Sequence, residues 1–149
     1  MQLVNLTELW LSNNQITKLP DSFGRLVNLK RLYIYHNQLD ILPFSFVQLL
    51  NLVILWLHQN QLTDLPDSFG RLVNLKQLRL DNNQLTELPD SFGELINLEQ
   101  LQINNNELSE LPYSFDKLVE LEELYLDNNR LTNTEKIRMW ELYKNKVKL

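Results

Sequence analysis

Residues 75–97 read LKQLRLDNNQLTELPDSFGELIN, and this pattern returns every 23 residues in both directions along the chain. All five prolines keep that period, as do five phenylalanines that follow them and six asparagines. These residues are Pro20, Pro43, Pro66, Pro89 and Pro112; Phe23, Phe46, Phe69, Phe92 and Phe115; and Asn14, Asn37, Asn60, Asn83, Asn106 and Asn129. Such self-similarity predicts a repeat architecture rather than a domain with one central core.

Each unit contains a short extended segment. Leu78 and Leu80 flank Arg79, so in an extended chain both leucines face one side and the arginine faces the other. After Asn83 the apolar residues return at irregular intervals of three and four, which do not make a regular helix of useful length. The apolar side chains of one unit cannot compensate for ordering its backbone, so the units must stack and pair strand to strand.

The pattern L-x-x-L-x-L-x-x-N-x-L-x-x-L-P-x-x-F-x-x-L-x-x resembles the leucine-rich repeat family, with a unit length similar to its cytoplasmic and bacterial members. The resemblance covers residues 3–131. Full units begin at Leu6, Leu29, Leu52, Leu75 and Leu98, and a partial sixth begins at Leu121. It implies an α/β fold, a right-handed leucine-rich repeat solenoid whose concave parallel β-sheet is backed by convex loops and short helical turns. It also implies that the six asparagines form an inward ladder whose amides bond the backbone of neighbouring turns.

Comparison of the units with one another shows where they differ. Gly24, Gly70 and Gly93 correspond to Val47 and Asp116, so this position does not require glycine's backbone freedom. We expect three aspartates to cap the short helical turns: Asp21, Asp67 and Asp90. We also expect the asparagine next to the ladder in the fifth unit, Asn105, to tolerate alanine. The second unit is unusually apolar, because it carries Phe44 and Val47 where most units have polar or small residues.

The repeat pattern stops at the point where the sixth Leu-Pro is due. There, residues 132–135 read as a helix capping box, which predicts that residues 1–131 form the repeat array and residues 132–149 an amphipathic capping helix. The apolar stripe predicted to cover the last leucines consists of Ile137, Trp140, Tyr143 and Val147. Because residues 134–149 carry a net charge of +3, the helix could instead meet a membrane surface or a partner.

The other end of the array has no polar cap in the sequence. The chain enters in the middle of a unit, so we expect Leu3, Leu6, Leu9 and Leu11 to form an apolar end face. Either this end is the edge of a fragment of a longer protein, or it packs on something, which allows a homo-oligomer.

Charge and composition exclude several classes of function. The net charge of the chain is −5, and its last 16 residues carry +3, so the array before them is more acidic than the whole chain. An acidic array is unsuited to binding nucleic acid through phosphates. The absence of cysteine excludes disulfides and thiolate metal sites. We find neither a signal peptide nor an apolar run long enough to span a membrane, which predicts a cytoplasmic protein, or one delivered by a route without a cleavable signal peptide.

Positions between the strand leucines project from the predicted concave face, and parallel strands bring equivalent positions into rows. The first three units place aromatic and apolar residues there, and Trp, Tyr and Arg dominate interface hot spots. The predicted partner-binding residues are Trp10, Arg31, Tyr33, Tyr35, Ile54, Trp56, His58, Arg79, Asp81 and Tyr125. A simpler interpretation is that these rings only cover the backbone of neighbouring strands.

No nucleophile–base pair, phosphate loop or carboxylate pair indicates an enzyme, and the sequence implies no cofactor. His36, His58 and Asp81 could hold zinc, but histidines in a binding surface are more often plain contacts, so we predict no metal. The sequence therefore predicts a non-catalytic module that binds a protein or peptide on its concave face. Two alternatives remain open: self-assembly through the N-terminal end, and glycan binding by Trp10, Tyr33 and Trp56.

Overall fold

A computed structural model describes residues 5–149 as a stack of units joined by one parallel sheet. The strands are β1 (Glu8–Trp10), β2 (Arg31–Tyr33), β3 (Ile54–Trp56), β4 (Gln77–Arg79), β5 (Gln100–Gln102), β6 (Glu123–Tyr125) and β7 (Val147–Lys148). Their spatial order is their chain order, and each residue of β1 to β5, as well as Leu124 and Tyr125 of β6, pairs with the residue 23 positions later. The predicted leucine-rich repeat solenoid is confirmed, with short helical turns and a C-terminal helix.

A 3-10 helix follows the Leu-Pro of each full unit. These helices are Asp21–Arg25, Phe44–Gln48, Phe69–Arg71, Asp90–Glu94 and Tyr113–Lys117. The prediction that aspartates cap them is wrong, because Pro20, Ser68 and Pro89 hold the preceding position and no side chain there accepts a cap bond. The backbone closes the turn instead: the amide of each repeat phenylalanine donates to the carbonyl of the proline three residues earlier, at 2.8–2.9 Å.

The middle leucine of each inner strand points into the stack and is fully buried, as are the phenylalanine rings of the inner units. The rings of Phe69 and Phe92 stack at 6.1 Å between centroids, and those of Phe92 and Phe115 at 5.9 Å. Leucines and phenylalanines of successive units thus form one continuous core along the solenoid.

The side-chain amide of Asn83 shows what each repeat asparagine does. Its nitrogen donates to the carbonyl of Leu80 in its own turn, at 3.0 Å, and to that of Leu57 in the preceding unit, at 3.1 Å. Its oxygen accepts from the amide of Leu62, at 3.0 Å. Asn37, Asn60, Asn106 and Asn129 make equivalent bonds. Asn14, in the first unit, donates to the carbonyls of Leu11 and Ser12 in its own turn.

The residue before each repeat asparagine adopts a left-handed backbone, which the sequence analysis did not foresee. Its φ lies between 53° and 59° at Asn13, His36, Gln59, Asn82, Asn105 and Asn128. Asparagine tolerates this conformation better than alanine does, and Asn105 Oδ1 also accepts a bond of 2.9 Å from Asn128. The expectation that Asn105 tolerates alanine therefore has no basis in this backbone.

We expect Asn83→Ala to lower the free energy of unfolding by about 1–3 kcal/mol, because three backbone groups lose their buried partner. Asn105→Ala should lower it by about 1 kcal/mol through backbone strain. Gln84, exposed and adjacent to Asn83, provides the control, and Gln84→Ala should stay within about 0.5 kcal/mol of the native protein. Urea denaturation of the three variants measures these values, and equal midpoints for Asn83→Ala and Gln84→Ala would contradict the role of the amide.

The first described unit is less well covered than the others. Leu6, Leu9 and Leu11 are only partly buried, whereas their equivalents in the second unit, Leu29, Leu32 and Ile34, are fully buried. Leu3, the fourth residue of the predicted apolar end face, lies outside the described residues.

The C-terminal helix α1 (Asn133–Tyr143) closes the other end through polar contacts as well as apolar ones. Thr132 is its cap and accepts from the amide of Glu135, at 3.2 Å. The buried Glu135 carboxylate accepts from the amide of Leu111, at 3.1 Å, and pairs with Arg138, which donates to the Leu111 carbonyl. Within residues 5–149 no helix is long and apolar enough to cross a bilayer.

The predicted apolar stripe of this helix is partly wrong. Ile137 and Trp140 face outward, 59% and 54% exposed, and it is Met139 and Tyr143 that pack on the last unit. The helix takes this rotation because Glu135, one turn before Met139, is held on the backbone of Leu111. It also ends at Tyr143 rather than continuing to residue 149, and Val147 then belongs to β7, which adds to the edge of β6. The division of the chain into residues 1–131 and 132–149 stays a prediction.

We expect Met139→Ala to lower the free energy of unfolding by about 2–5 kcal/mol, because it opens a cavity beneath the helix. Trp140→Ala, one residue later and half-exposed, should lower it by less than about 1 kcal/mol. Chemical denaturation compares the two variants. A larger loss for Trp140→Ala would mean that the helix packs by the stripe that the sequence suggested.

Candidate functional site: the open sheet face

The first and third residues of each strand point away from the leucine core, because successive side chains of a strand face opposite ways. We call the surface that they form, together with the second residue after each strand, the open sheet face. Trp10, Tyr33, Trp56 and Arg79 occupy one row of it, since the strand pairing aligns them directly. This is the face that the sequence analysis selected for partner binding.

The aromatic residues of this face contact one another. The rings of Trp10 and Tyr33 stack with centroids 3.9 Å apart, and Trp56 meets Tyr33 edge-on at 5.0 Å. In the neighbouring row, the ring of Tyr35 stacks on that of His58 at 4.5 Å. We call these five residues the aromatic cluster. Since each ring is held by another, the cluster is ordered before any ligand arrives.

Charged side chains fix both ends of the cluster. At one end Glu8 accepts from the indole Nε1 of Trp10, at 2.8 Å, and pairs with Arg31, at 3.2 Å. At the other end Arg79 lies over the ring of Trp56, 5.5 Å from its centroid, and its guanidinium makes two bonds to Asp81, at 3.1 and 3.2 Å. These contacts limit the rotamers of both tryptophans.

Exposure differs sharply along the cluster. Trp10 is 59% exposed, Trp56 and Tyr35 are partly buried, and Tyr33 and His58 are each only 7% exposed. The simpler interpretation, in which rings cover neighbouring strands, therefore describes Tyr33 and His58 well. Trp10 and Trp56 remain the aromatic surfaces that a ligand could reach.

A shallow pocket of about 110 Å³ continues the face beyond Trp56. It is lined by Trp56 of β3, by Gln77 and Arg79 of β4, and by Gln100 and Gln102 of β5. The pocket offers an aromatic surface, a guanidinium and amide groups within one side chain's reach, which suits a small polar or apolar side chain of a ligand.

Three of the predicted residues stand apart from the cluster. Arg31 pairs with Glu8, which in turn accepts from Trp10, and Ile54 lies between Arg31 and Gln77 in the sheet. Tyr125 is two strands beyond Arg79, where Lys148 of β7 lies over its ring at 4.4 Å. Glu8 and Lys148 were not selected from the sequence. The alignment of the units places Glu8 on this face. Lys148 stands 23 residues after Tyr125 and pairs with it, but the leucine-rich pattern ends before it, so the sequence did not mark it.

His58 is the most perturbed titratable group of the face. Burial lowers its pKa from the usual 6.5 to about 4; the nearby Arg79 adds to this shift, and Asp81 opposes it. Its buried Nδ1 has no hydrogen-bond partner in residues 5–149. The zinc site considered from the sequence is not assembled in this part of the chain, where His36, His58 and Asp81 form no group that could hold a metal ion.

Because the folded protein binds the His58 proton more weakly than the unfolded chain does, acid destabilises the fold. Above pH 6.5 His58 is neutral in both the folded and the unfolded chain, and the fold keeps its full stability. As the pH falls from 6.5 towards 4 the unfolded chain gains a proton first, so the free energy of unfolding decreases. We expect the loss to reach up to about 3 kcal/mol relative to His58→Asn, which copies the equivalent Asn104 of the fifth unit. Denaturation at several pH values measures the difference, with the exposed His36→Gln variant as the control. A difference between native protein and His58→Asn that does not change with pH would contradict this.

The chain was compared with protein families and solved structures. A family profile described as leucine rich repeat matches residues 74–131, and one described as leucine rich repeats (2 copies) matches residues 4–45 and 50–93. No curated protein matches the chain.

Solved structures extend this similarity over nearly the whole chain. A leucine-rich repeat protein of Leptospira interrogans is 40% identical with a TM-score of 0.95, over 99% of this chain and 38% of its own. The internalin InlF of Listeria monocytogenes is 23% identical, TM-score 0.75, over 95% and 40%. A chain of an octameric complex of Latrophilin 3, Unc5D and the leucine-rich repeat protein FLRT2 is 28% identical, TM-score 0.79, over 97% and 47%. The present chain thus spans less than half the length of each, and it belongs to the leucine-rich repeat family.

Proposed function

We propose that this chain is a non-catalytic recognition module that binds a segment of another protein on its open sheet face. The observation that carries the proposal is the aromatic cluster, in which Trp10 and Trp56 are reachable by a ligand and are already fixed by Tyr33, Glu8 and Arg79. A rigid aromatic surface binds at a small loss of side-chain entropy.

Membership of the family supports this proposal. Leucine-rich repeat proteins generally mediate protein–protein interactions, and one similar structure is a complex of several proteins. The fold alone does not specify a ligand, so the argument for this chain depends on the residues of the face.

We propose different roles for the predicted residues. Trp10 and Trp56 are the proposed anchors, and the partly exposed Arg79 is the proposed polar contact at the end of the row. Asp81 is only 4% exposed and its carboxylate is occupied by Arg79 and Asn82, so its role is to orient Arg79 rather than to meet a ligand. The ligand that fits best has an apolar segment over the tryptophans, followed by a hydrogen-bond acceptor for Arg79.

Self-association and glycan binding stay predictions. The partly buried Leu6, Leu9 and Leu11 support the first, and light scattering of the 149-residue chain tests it. The exposed ring of Trp10 supports the second, and a glycan array tests it.

The proposed function is tested by comparing two tryptophan substitutions. Trp56→Ala should weaken binding of a captured partner by at least about 2 kcal/mol, because it removes an anchor and the support of Arg79. Trp140→Ala removes an exposed tryptophan from the C-terminal helix and should change binding little. Affinity capture with quantitative mass spectrometry identifies the partner, calorimetry then measures its affinity, and circular dichroism checks the fold of each variant.

The proposal fails if folded Trp56→Ala and Trp140→Ala variants bind every captured partner with the same affinity as the native protein. A larger loss for Trp140→Ala would place recognition on the C-terminal helix instead.

A further inference from the structure

The stacking of the repeat phenylalanine rings is interrupted between the second and third units, although the core itself is continuous there. The rings of Phe23 and Phe46 stack at 6.2 Å, and the third, fourth and fifth units continue the same arrangement. No such ring pair joins Phe46 to Phe69 within the described chain, and the 3-10 helix at Phe69–Arg71 has three residues where the other four units have five.

Val47 accounts for this interruption. The equivalent Gly70 lies so close to the next unit that an added Cβ would collide with the carbonyl of Ser91, 21 residues later. Val47 has a Cβ and two methyl groups at that position, and its side chain is buried. The corresponding residue is Ser68, and the 3-10 helix that follows it begins at Phe69, two residues later than in the other units.

The interruption opens an apolar groove of about 310 Å³, which we call the Leu-Pro groove. Its apolar lining comes from Ile41, Leu42 and Phe44 of the second unit and from Leu65 and Pro66 of the third. Ile41 is 56% and Phe44 73% exposed. Other full units carry Lys, Asp or Glu at the position of Ile41, and Asp or Tyr at the position of Phe44. Two adjacent large apolar side chains exposed beside a groove indicate an interaction site.

Carboxylates continue from one side of this groove. Asp64 and Asp67 belong to its wall, and a second groove of about 220 Å³ joins them to Glu87 of the fourth unit. Asp90 occupies the position of Asp67 one unit further on. Within residues 5–149 none of these four carboxylates takes part in an ion pair, although Asp64 accepts a bond from the hydroxyl of Thr63. The surface therefore changes from apolar to acidic in a fixed direction.

We propose that the Leu-Pro groove binds an extended segment of a partner protein in which a bulky apolar residue is followed by lysine or arginine. The apolar side chain lies between Phe44 and Leu65, and the basic side chains lie over Asp64, Asp67 and Glu87. On this side of the solenoid the repeat phenylalanine rings of successive units are 5.9–6.1 Å apart, and side chains on one face of an extended peptide are about 6.6 Å apart. Basic residues two and four positions after an apolar one beside Phe44 therefore reach the carboxylates of the third and fourth units.

This site is separate from the open sheet face. No residue of the aromatic cluster lines the Leu-Pro groove, and the two surfaces belong to different segments of each unit. The chain could hold one partner by both surfaces or two partners at once, and variants of one surface leave the other intact.

A phage-displayed library of random dodecapeptides tests the proposal, selected on the native protein and counter-selected on the double variant Ile41→Asp, Phe44→Asp. These substitutions copy Asp64 and Asp67 of the third unit, so they are compatible with the fold. We expect the selected peptides to share a bulky apolar residue followed by Lys or Arg. Synthetic versions should lose affinity about tenfold or more on the double variant, as expected for removal of interface anchors, and should bind less tightly as salt is raised.

Two single variants complete the test. Tyr113→Asp changes the same row three units further on and should leave peptide binding unchanged, as should Trp56→Ala on the open sheet face. The proposal is overturned if the selection yields no sequence pattern, or a pattern without basic residues. It is also overturned if Trp56→Ala removes binding as the double variant does, or if Phe44→Asp changes only self-association of the native chain, since the occupant would then be a second copy.

Discussion

The bond between a repeat asparagine and the unit before it, made by Asn37, Asn60, Asn83, Asn106 and Asn129, is the interaction on which the array depends. The turn after every strand carries backbone groups that are buried between units. A buried amide or carbonyl without a hydrogen-bond partner lowers the free energy of unfolding by about 1–3 kcal/mol. Asn60, Asn83 and Asn106 satisfy groups in two units at once, as the bonds of Asn83 to Leu57, Leu62 and Leu80 show. No unit can complete its own turn, so each is stable only in a stack.

This dependence separates the positions that make the fold from those that can carry recognition. The leucine in the middle of each strand and the asparagine after it are repeated without exception from the second to the fifth unit, and they are buried. The strand positions beside that leucine vary freely, because their side chains leave the core. One backbone position thus carries Trp10, Tyr33, Trp56, Arg79, Gln102 and Tyr125 in turn. The side chains of neighbouring rows therefore form a surface whose residue types can vary while the buried leucines of the stack stay the same.

Much of this could be predicted from periodicity alone. The strands, their parallel register and the buried leucines follow from a repeat of 23 residues, and the row of Trp10, Tyr33 and Trp56 follows from the register. The left-handed backbone of residues such as His36 could not, because the position accepts His, Gln and Asn and so has no single sequence signature. The sequence also did not reveal why glycine stands at position 70. The backbone φ of Gly70 does not require glycine, but the short distance to the next unit leaves no room for a Cβ.

The ends and the site show the same limit. Ile137 and Trp140, like Met139 and Tyr143, are spaced so that both lie on one face of a helix. The bond from the Leu111 amide to Glu135 decides which face of α1 packs on the last unit, and no periodicity reveals this bond. Among the site residues, the sequence does not show that Tyr33 is buried and Trp10 is exposed, because their exposure depends on which ring covers the other. Sequence reasoning therefore located the face but not the accessible part of it.

Removal of one complete unit tests the central claim, that contacts between equivalent positions of neighbouring units hold the array together. Deletion of residues 75–97 brings the third unit against the fifth in the same register, because the period is 23 throughout. The account predicts that the shortened chain folds, with the circular dichroism of the native sheet, and unfolds in urea in a single transition at a lower midpoint. An unfolded chain, or two separate transitions from the parts on either side of the deletion, would contradict it.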